Sequence, residues 1–254
     1  MLTRDHFGAP AKTRWPFWAL LISCLLGPFF FPVDVRKIHS VFTHALERRA
    51  TQTKPHETEV VEPPEAVLPV LSYLEYLLPK GLQFEAAYVP MAYPMGDVPA
   101  GSGSAVDVVI RALRQIGLDL QVLIHEDMLH APEAYPTELY EHKELDTNID
   151  HRRLPNLLTF MERHFVEIPT SGRRWEEQLW LPGDIVFYSK DAAPWPWHLG
   201  IVSMERDGRS VPLIYDHLPQ CGFSRSHPLD QWILTHHFRL PSAHESWVSL
   251  QGHR

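Results

Sequence analysis

Two short apolar runs carry the most pointed chemistry in this sequence. Pro182-Gly183-Asp184-Ile185-Val186 is followed, after a short interval, by His198-Leu199-Gly200-Ile201-Val202. Both read as strands bounded by Pro and Gly. The spacing places an imidazole at the start of one buried strand that faces another, and Gly200 permits close backbone approach there. Histidine titrates near neutral pH, which suits it to proton transfer. A His ahead of an apolar strand is more often structural, so it needs a nucleophile or a metal beside it to become a site.

The metal reading is weak. The chain holds 16 His, but His125-Glu126-Asp127-Met128-Leu129-His130 lacks the i,i+4 spacing of a helical zinc site. His236 and His237 alternate faces on a strand. The only cysteines, Cys24 and Cys221, form no CxxC pair and no disulfide framework. No metal or cofactor is expected. A net charge of -8 without any Lys/Arg-rich run argues against nucleic acid, which needs a concentrated basic surface.

The elements that must position these residues follow from periodicity. A helix is predicted over 67–78, interrupted near Pro69. The stretch 93–104 is rich in turn residues and leads into a predicted helix over 105–116, with Val109, Ile110, Leu113 and Ile116 on one face and Gly117 as its stop. Further helices are predicted over 118–128 and 154–164. Strands are predicted over 181–188, 197–203, 211–215 and 235–239. Helices first and antiparallel strands afterwards indicate an α+β fold.

The N-terminal part differs in character. A tail over 1–14 carries Arg4, Lys12 and Arg14, and the run 15–33 has no charge and is long enough to cross a bilayer. Trp15 and Trp18 suit a membrane interface. An uncleaved signal-anchor is the favoured reading. A cleaved signal lacks a small-x-small site after the apolar run. Leu21-Ile22-Ser23-Cys24 looks like a lipobox, but the residues after Cys24 stay apolar. Segment 34–65 reads as an amphipathic helix (34–50) followed by a Pro-rich linker (51–65). A globular domain is expected over 66–241 and a tail over 242–254.

The domain resembles NlpC-like, papain-like cysteine peptidases, in which PGDIV and HxGIV strands carry the catalytic His. It is more closely similar to the bacterial domain-of-unknown-function family 1287, which belongs with those peptidases. The similarity runs from about 87 to 241. It includes Ala87-Tyr88-Val89, Ala92-Tyr93-Pro94-x-Gly96-Asp97-Val98-Pro99, Asp107-Val108-Val109-Ile110-Arg111-Ala112 and Ile124-His125-Glu126-Asp127-Met128. Its most distinctive string is Asp146-Thr147-Asn148-Ile149-Asp150-His151-Arg152-Arg153-x-Pro155-Asn156.

The resemblance implies a nucleophilic Cys opening the helix, in a Gly-x-Cys-Thr-Asp-Val-Val stretch. Here the stretch reads Gly103-Ser104-Ala105-Val106-Asp107-Val108-Val109. Ala105 stands at the nucleophile position and has no lone pair, so covalent catalysis there is impossible. The family's Ile-His-Asn, whose polar side chain orients the imidazole, corresponds to Ile214-Tyr215-Asp216. Tyr215 could bond His198, and Asp216 could serve after a one-residue slip. A single change would suit artificial inactivation; several coordinated departures favour natural decay. Ser102, Ser104 and Cys221 are poorly placed substitutes.

Asp150, His151, Arg152 and Arg153 could bind an anionic or peptide ligand, or simply lock a turn. Trp180, Trp195 and Trp197 are expected to line or cover the cleft. The leading expectation is a pseudoenzyme held in the bacterial inner membrane by a single span, with its C-terminal domain periplasmic. Its cleft would hold a peptidoglycan peptide or an envelope protein partner. The alternatives are an active peptidoglycan amide hydrolase and a structural subunit of an envelope complex.

Overall fold

Gly103 and Ser104 set the start of the helix on which the candidate site depends. Gly103 has φ 152°, and a Cβ there would lie 3.0 Å from Asp107 Cβ, which favours glycine. Ser104 is the N-cap: its Oγ accepts from the Asp107 N–H (3.4 Å), while Asp107 Oδ2 accepts from the Ser104 N–H (2.7 Å). This reciprocal capping box satisfies two backbone donors that a helix start otherwise leaves open.

The computed structural model describes residues 63–141, 144–170, 180–190 and 193–240, all within the unit His56–Arg254. Four α-helices come first: α1 (Leu68–Leu77), α2 (Ala105–Arg114), α3 (Leu120–His130) and α4 (Leu154–His164). Two short strands, β1 (Gln83–Phe84) and β2 (Ser102–Gly103), pair in parallel beside the start of α2. The remaining strands are β3 (Val166–Glu167), β4 (Ile185–Ser189), β5 (His198–Arg206), β6 (Pro212–Leu218), β7 (Gly222–Pro228) and β8 (Ile233–Arg239). They form one antiparallel sheet in the order β3-β8-β4-β5-β6-β7. The fold is α+β.

Pairing Ile185 with Ile201 and Ile201 with Tyr215 sets which residues share a face. Side chains alternate along a strand. Ile185, Phe187, Leu199, Ile201 and Tyr215 therefore meet the helices and join the core with Val109, Leu113, Leu157 and Phe160. Val186, Tyr188, Val202 and Ile214 point the other way, into a second cluster with Trp180 and Leu229. Helix α2 is buried from Ala105 to Leu113. It carries Arg111 inward because Asp97 and the carbonyls of Val98 and Ser102 bond its guanidinium.

Several expected boundaries shift. Pro69 does not interrupt α1; it occupies the first turn, where its missing N–H costs nothing. The first long strand starts at Ile185, because Pro182 and Gly183 form a turn that Asp184 holds by accepting from the Leu181 N–H. Strand β7 has no apolar alternation (Gly222 to Pro228) and is an edge strand, which explains why it escapes a periodicity search. Among the described residues no helix is long and apolar enough to cross a membrane. The apolar run 15–33, the segment 34–62 and the tail 242–254 lie outside the described residues.

Candidate functional site

A cleft of about 340 Å³ opens where the N-terminus of α2 meets β5, β6 and the β1 segment. Ser104, Ala105 and Val106 form its floor, with Phe84 on one wall and Leu199, His217 and Leu218 on another. Arg152, Lys190 and Trp197 also line it. The Ala105 methyl is buried (8% exposed) at the first helical position, so no nucleophilic atom stands there. Among the described residues the N–H groups of Ala105 and Val106 make no hydrogen bond, since Ser104 Oγ takes only the Asp107 N–H.

His198 also lines the cleft, but its ring does not face Ala105 as expected. Its Nε2 lies 3.3 Å from Asp216 Oδ2, and the ring stacks on Trp197 and Tyr188 and meets the edge of Trp232. Of these partners, Tyr188 and Trp232 belong to the cluster on the sheet face opposite the helices. The reason is strand parity: His198 shares a face with Val202, whereas Leu199 and Ile201 take the helix side. Asp216 is therefore the residue that reaches His198. It also contacts His227 Nδ1 (3.0 Å) and accepts from Ser224 Oγ (3.2 Å). Tyr215 lies on the helix side instead. Its hydroxyl donates to Glu75, and burial and that carboxylate push its pKa well up.

The imidazole on the helix side of the sheet is His217, which the sequence reading did not single out. It is 0% exposed, and neither ring nitrogen makes a hydrogen bond of ordinary geometry. Phe84 and Phe223 present edges to the ring. Burial lowers its pKa below the usual histidine value, although the Leu82 and Ser104 backbone and Asp216 pull the other way. One signal for it was available: His217 falls at the parity of Tyr215 on a strand whose neighbours alternate.

The Asp146–Asn156 string is mostly a self-bonded turn. Asp150 Oδ2 accepts from the Asp146 N–H (2.6 Å), Arg153 donates to Asp150 Oδ1 (3.0 Å), and Asn156 donates to the Asp150 carbonyl (3.1 Å). Burial raises the Asp150 pKa. Arg153 also stacks over Tyr140. His151 is buried, and desolvation together with Arg114 lowers its pKa to about 4. Arg152 alone of the four lines the cleft. It donates to Asp107 Oδ1 (2.6 Å) and Oδ2 (3.0 Å) and to the Ala87 carbonyl (2.9 Å). Burial would raise the Asp107 pKa, but the bonds from Arg152 and Ser104 outweigh it and hold the carboxyl below its ordinary value.

Trp197 lines the mouth, with the Lys190 ammonium 4.4 Å from its ring centroid. Trp195 packs at the core edge, and Trp180 stacks on His237 in the second cluster, away from the cleft. Ser104 does line the cleft, contrary to expectation, but its Oγ is engaged with Asp107 (2.9 Å). Cys221 is exposed beside the rim residues Pro219 and Gln220, and burial raises its pKa, which disfavours the thiolate. Among the described residues no group of three or more His, Cys, Asp or Glu could hold a metal.

Fold and site thus define an α+β domain with a helix-capped cleft on an antiparallel sheet. Residues 77–240 match the family described as "Domain of unknown function (DUF1287)", and the chain belongs to that family. It is 41% identical over 160 residues to "Uncharacterized protein YijF" of Escherichia coli (strain K12), covering 62% of this chain and 74% of that protein. No solved structure matches.

Proposed function

We propose that this chain is a membrane-anchored pseudoenzyme of the cell envelope with an NlpC-like, papain-like domain. Its cleft holds a peptidoglycan peptide or a protein partner rather than cutting it. The observation that carries the reading is Ala105: a capped helix start opens into a cleft, with a methyl group where the fold's chemistry calls for a thiol. Neither neighbouring substitute is activated, since Ser104 Oγ is tied to Asp107 and the Cys221 thiol is pushed toward its neutral form. The uncharged run 15–33 supports an inner-membrane span with the C-terminal domain in the periplasm.

The test is digestion and binding of a purified stem peptide by the full chain in detergent. Native protein should bind the peptide and release no new amino group over a prolonged incubation. Cleavage by native protein, or absence of binding, would overturn the reading. In cells the chain should stay with membranes through carbonate washing; complete release would remove the anchor from the proposal.

A further inference from the structure

The charge around the cleft runs against the charge of the whole. The chain carries a net charge of -8, yet among the described residues no Asp or Glu lines this cleft, whereas Arg152, Lys190 and two histidines do. Of the carboxylates behind the lining, Asp107 is paired with Arg152 at 2.6 Å, and Asp216 is engaged with His198 and His227. Among the described residues the N–H groups of Ala105 and Val106 have no hydrogen-bond partner, and they lie at the positive end of a ten-residue helix on the cleft floor. Beside them lies His217, fully buried, with neither ring nitrogen in a hydrogen bond of ordinary geometry and only the Leu82 and Ser104 backbone nearby. A buried polar ring without a well-formed hydrogen bond is costly and is rarely left so without a reason. Walls of Phe84, Leu199 and Leu218 suit an apolar or backbone portion of a ligand, and the volume of about 340 Å³ suits a small group rather than a folded partner.

We infer that the cleft is a carboxylate-binding site that takes the free C-terminus of a short peptide, held by the Ala105 and Val106 N–H groups and by His217. This deepens, and rests on, the reading of the cleft as a peptide-binding pseudoenzyme site. Ala105 is part of the fit: a methyl leaves the floor open, and no thiolate competes for the helix terminus. The carboxylate accepts from the two backbone donors and from the one N–H of neutral His217. Such charge-assisted bonds are the stronger kind. Lys190 adds long-range attraction from the lining, since the charge of Arg152 is already balanced by Asp107.

Calorimetric titration of the full chain in detergent tests this with acetyl-Ala-Ala-Ala as the free acid, the same peptide as its C-terminal amide, and inorganic phosphate. The acid should bind about tenfold or more tighter than the amide. His217→Phe, which keeps an aromatic ring among Phe84 and Phe223, should weaken acid binding by about fivefold or more and leave the amide unchanged. Ala105→Glu supplies its own carboxylate at the helix start and should abolish acid binding while keeping the melting temperature close to native. Equal binding of acid and amide overturns the carboxylate assignment and leaves the peptide cleft standing. Failure of both peptides to bind overturns both. Acid binding undiminished in a folded Ala105→Glu or His217→Phe protein overturns it as well. Phosphate binding as tight as the acid would make this a simple oxyanion site and overturn the peptide-terminus assignment.

Discussion

At the scale of single residues, the positions of Ala105, His198 and His217 decide what chemistry is open to the cleft. A side chain at 105 stands on unbonded N–H groups at a helix start, which stabilise an anion. The imidazole on the helix side of the sheet is that of His217, while His198 is engaged with Asp216 on the far side. Installing Ala105→Cys should therefore give a thiol with a pKa well below the ordinary value of about 8.5. Iodoacetamide at neutral pH should label residue 105 before Cys221, whose pKa is raised; peptide mapping by mass spectrometry reads the order. Adding His217→Phe should slow labelling at 105, and adding His198→Phe should change it little. Dependence on His198 alone would show that the ring turns to the helix side in solution.

At the scale of elements, a single buried ion pair joins the distinctive turn to the helix. Arg152 closes the turn Asp150–Arg152 onto Asp107, three residues into α2, and also holds the Ala87 carbonyl. Both side chains are 3% exposed. Breaking such a pair strands a buried charge and costs about 3–5 kcal/mol, more than the pair itself contributes over an apolar substitute. Arg152→Met should therefore lower stability in urea by that amount, and Arg152→Met with Asp107→Leu should recover part of it. A loss under 1 kcal/mol (roughly a surface pair) would mean that water reaches Asp107. The same pair explains why α2 stays fully packed although its first turn carries an acid: Asp107 caps Ser104 with one oxygen and receives Arg152 with both.

At the scale of the whole molecule, buried imidazoles make the fold sensitive to mild acid. Burial lowers the His151 pKa from 6.5 to about 4, and Arg114 adds to the effect. The unfolded chain protonates at the ordinary value, so it binds more protons than the native state between those two pH values. Stability is then complete above pH 6.5 and falls as the pH drops toward 4. The His151 contribution is about 3 kcal/mol over that window. Buried His217, whose pKa is also lowered, acts in the same direction. The Asp107 carboxyl, held below its ordinary value, weakens the fold only under more acidic conditions. Urea midpoints at pH 7, 5.5 and 4.5 should decline, and His151→Phe should flatten the decline. An unchanged slope in that variant would place the acid sensitivity elsewhere.

The sequence by itself determined the class of fold and most of its elements. Helix periodicity after a turn-rich stretch locates α2, the interval Leu154–His164 is recovered in full, and the Pro-Gly boundaries locate β4 and β5 within a few residues. It also showed that residue 105 has no nucleophile. These are local matters, set by side-chain period and backbone conformation. Tertiary structure alone decided which ring enters the cleft. His198 and His217 differ by strand parity, and parity becomes a direction only when register fixes the buried face. The pairing of Ile201 with Tyr215 does this, sending His217 toward Ala105 and His198 toward Asp216. Gly200 makes that pairing possible, because a Cβ there would stand 2.9 Å from the Tyr215 carbonyl oxygen. The partner of Arg152 was equally hidden, since Asp107 lies 45 residues away in the chain and is brought to it only by packing.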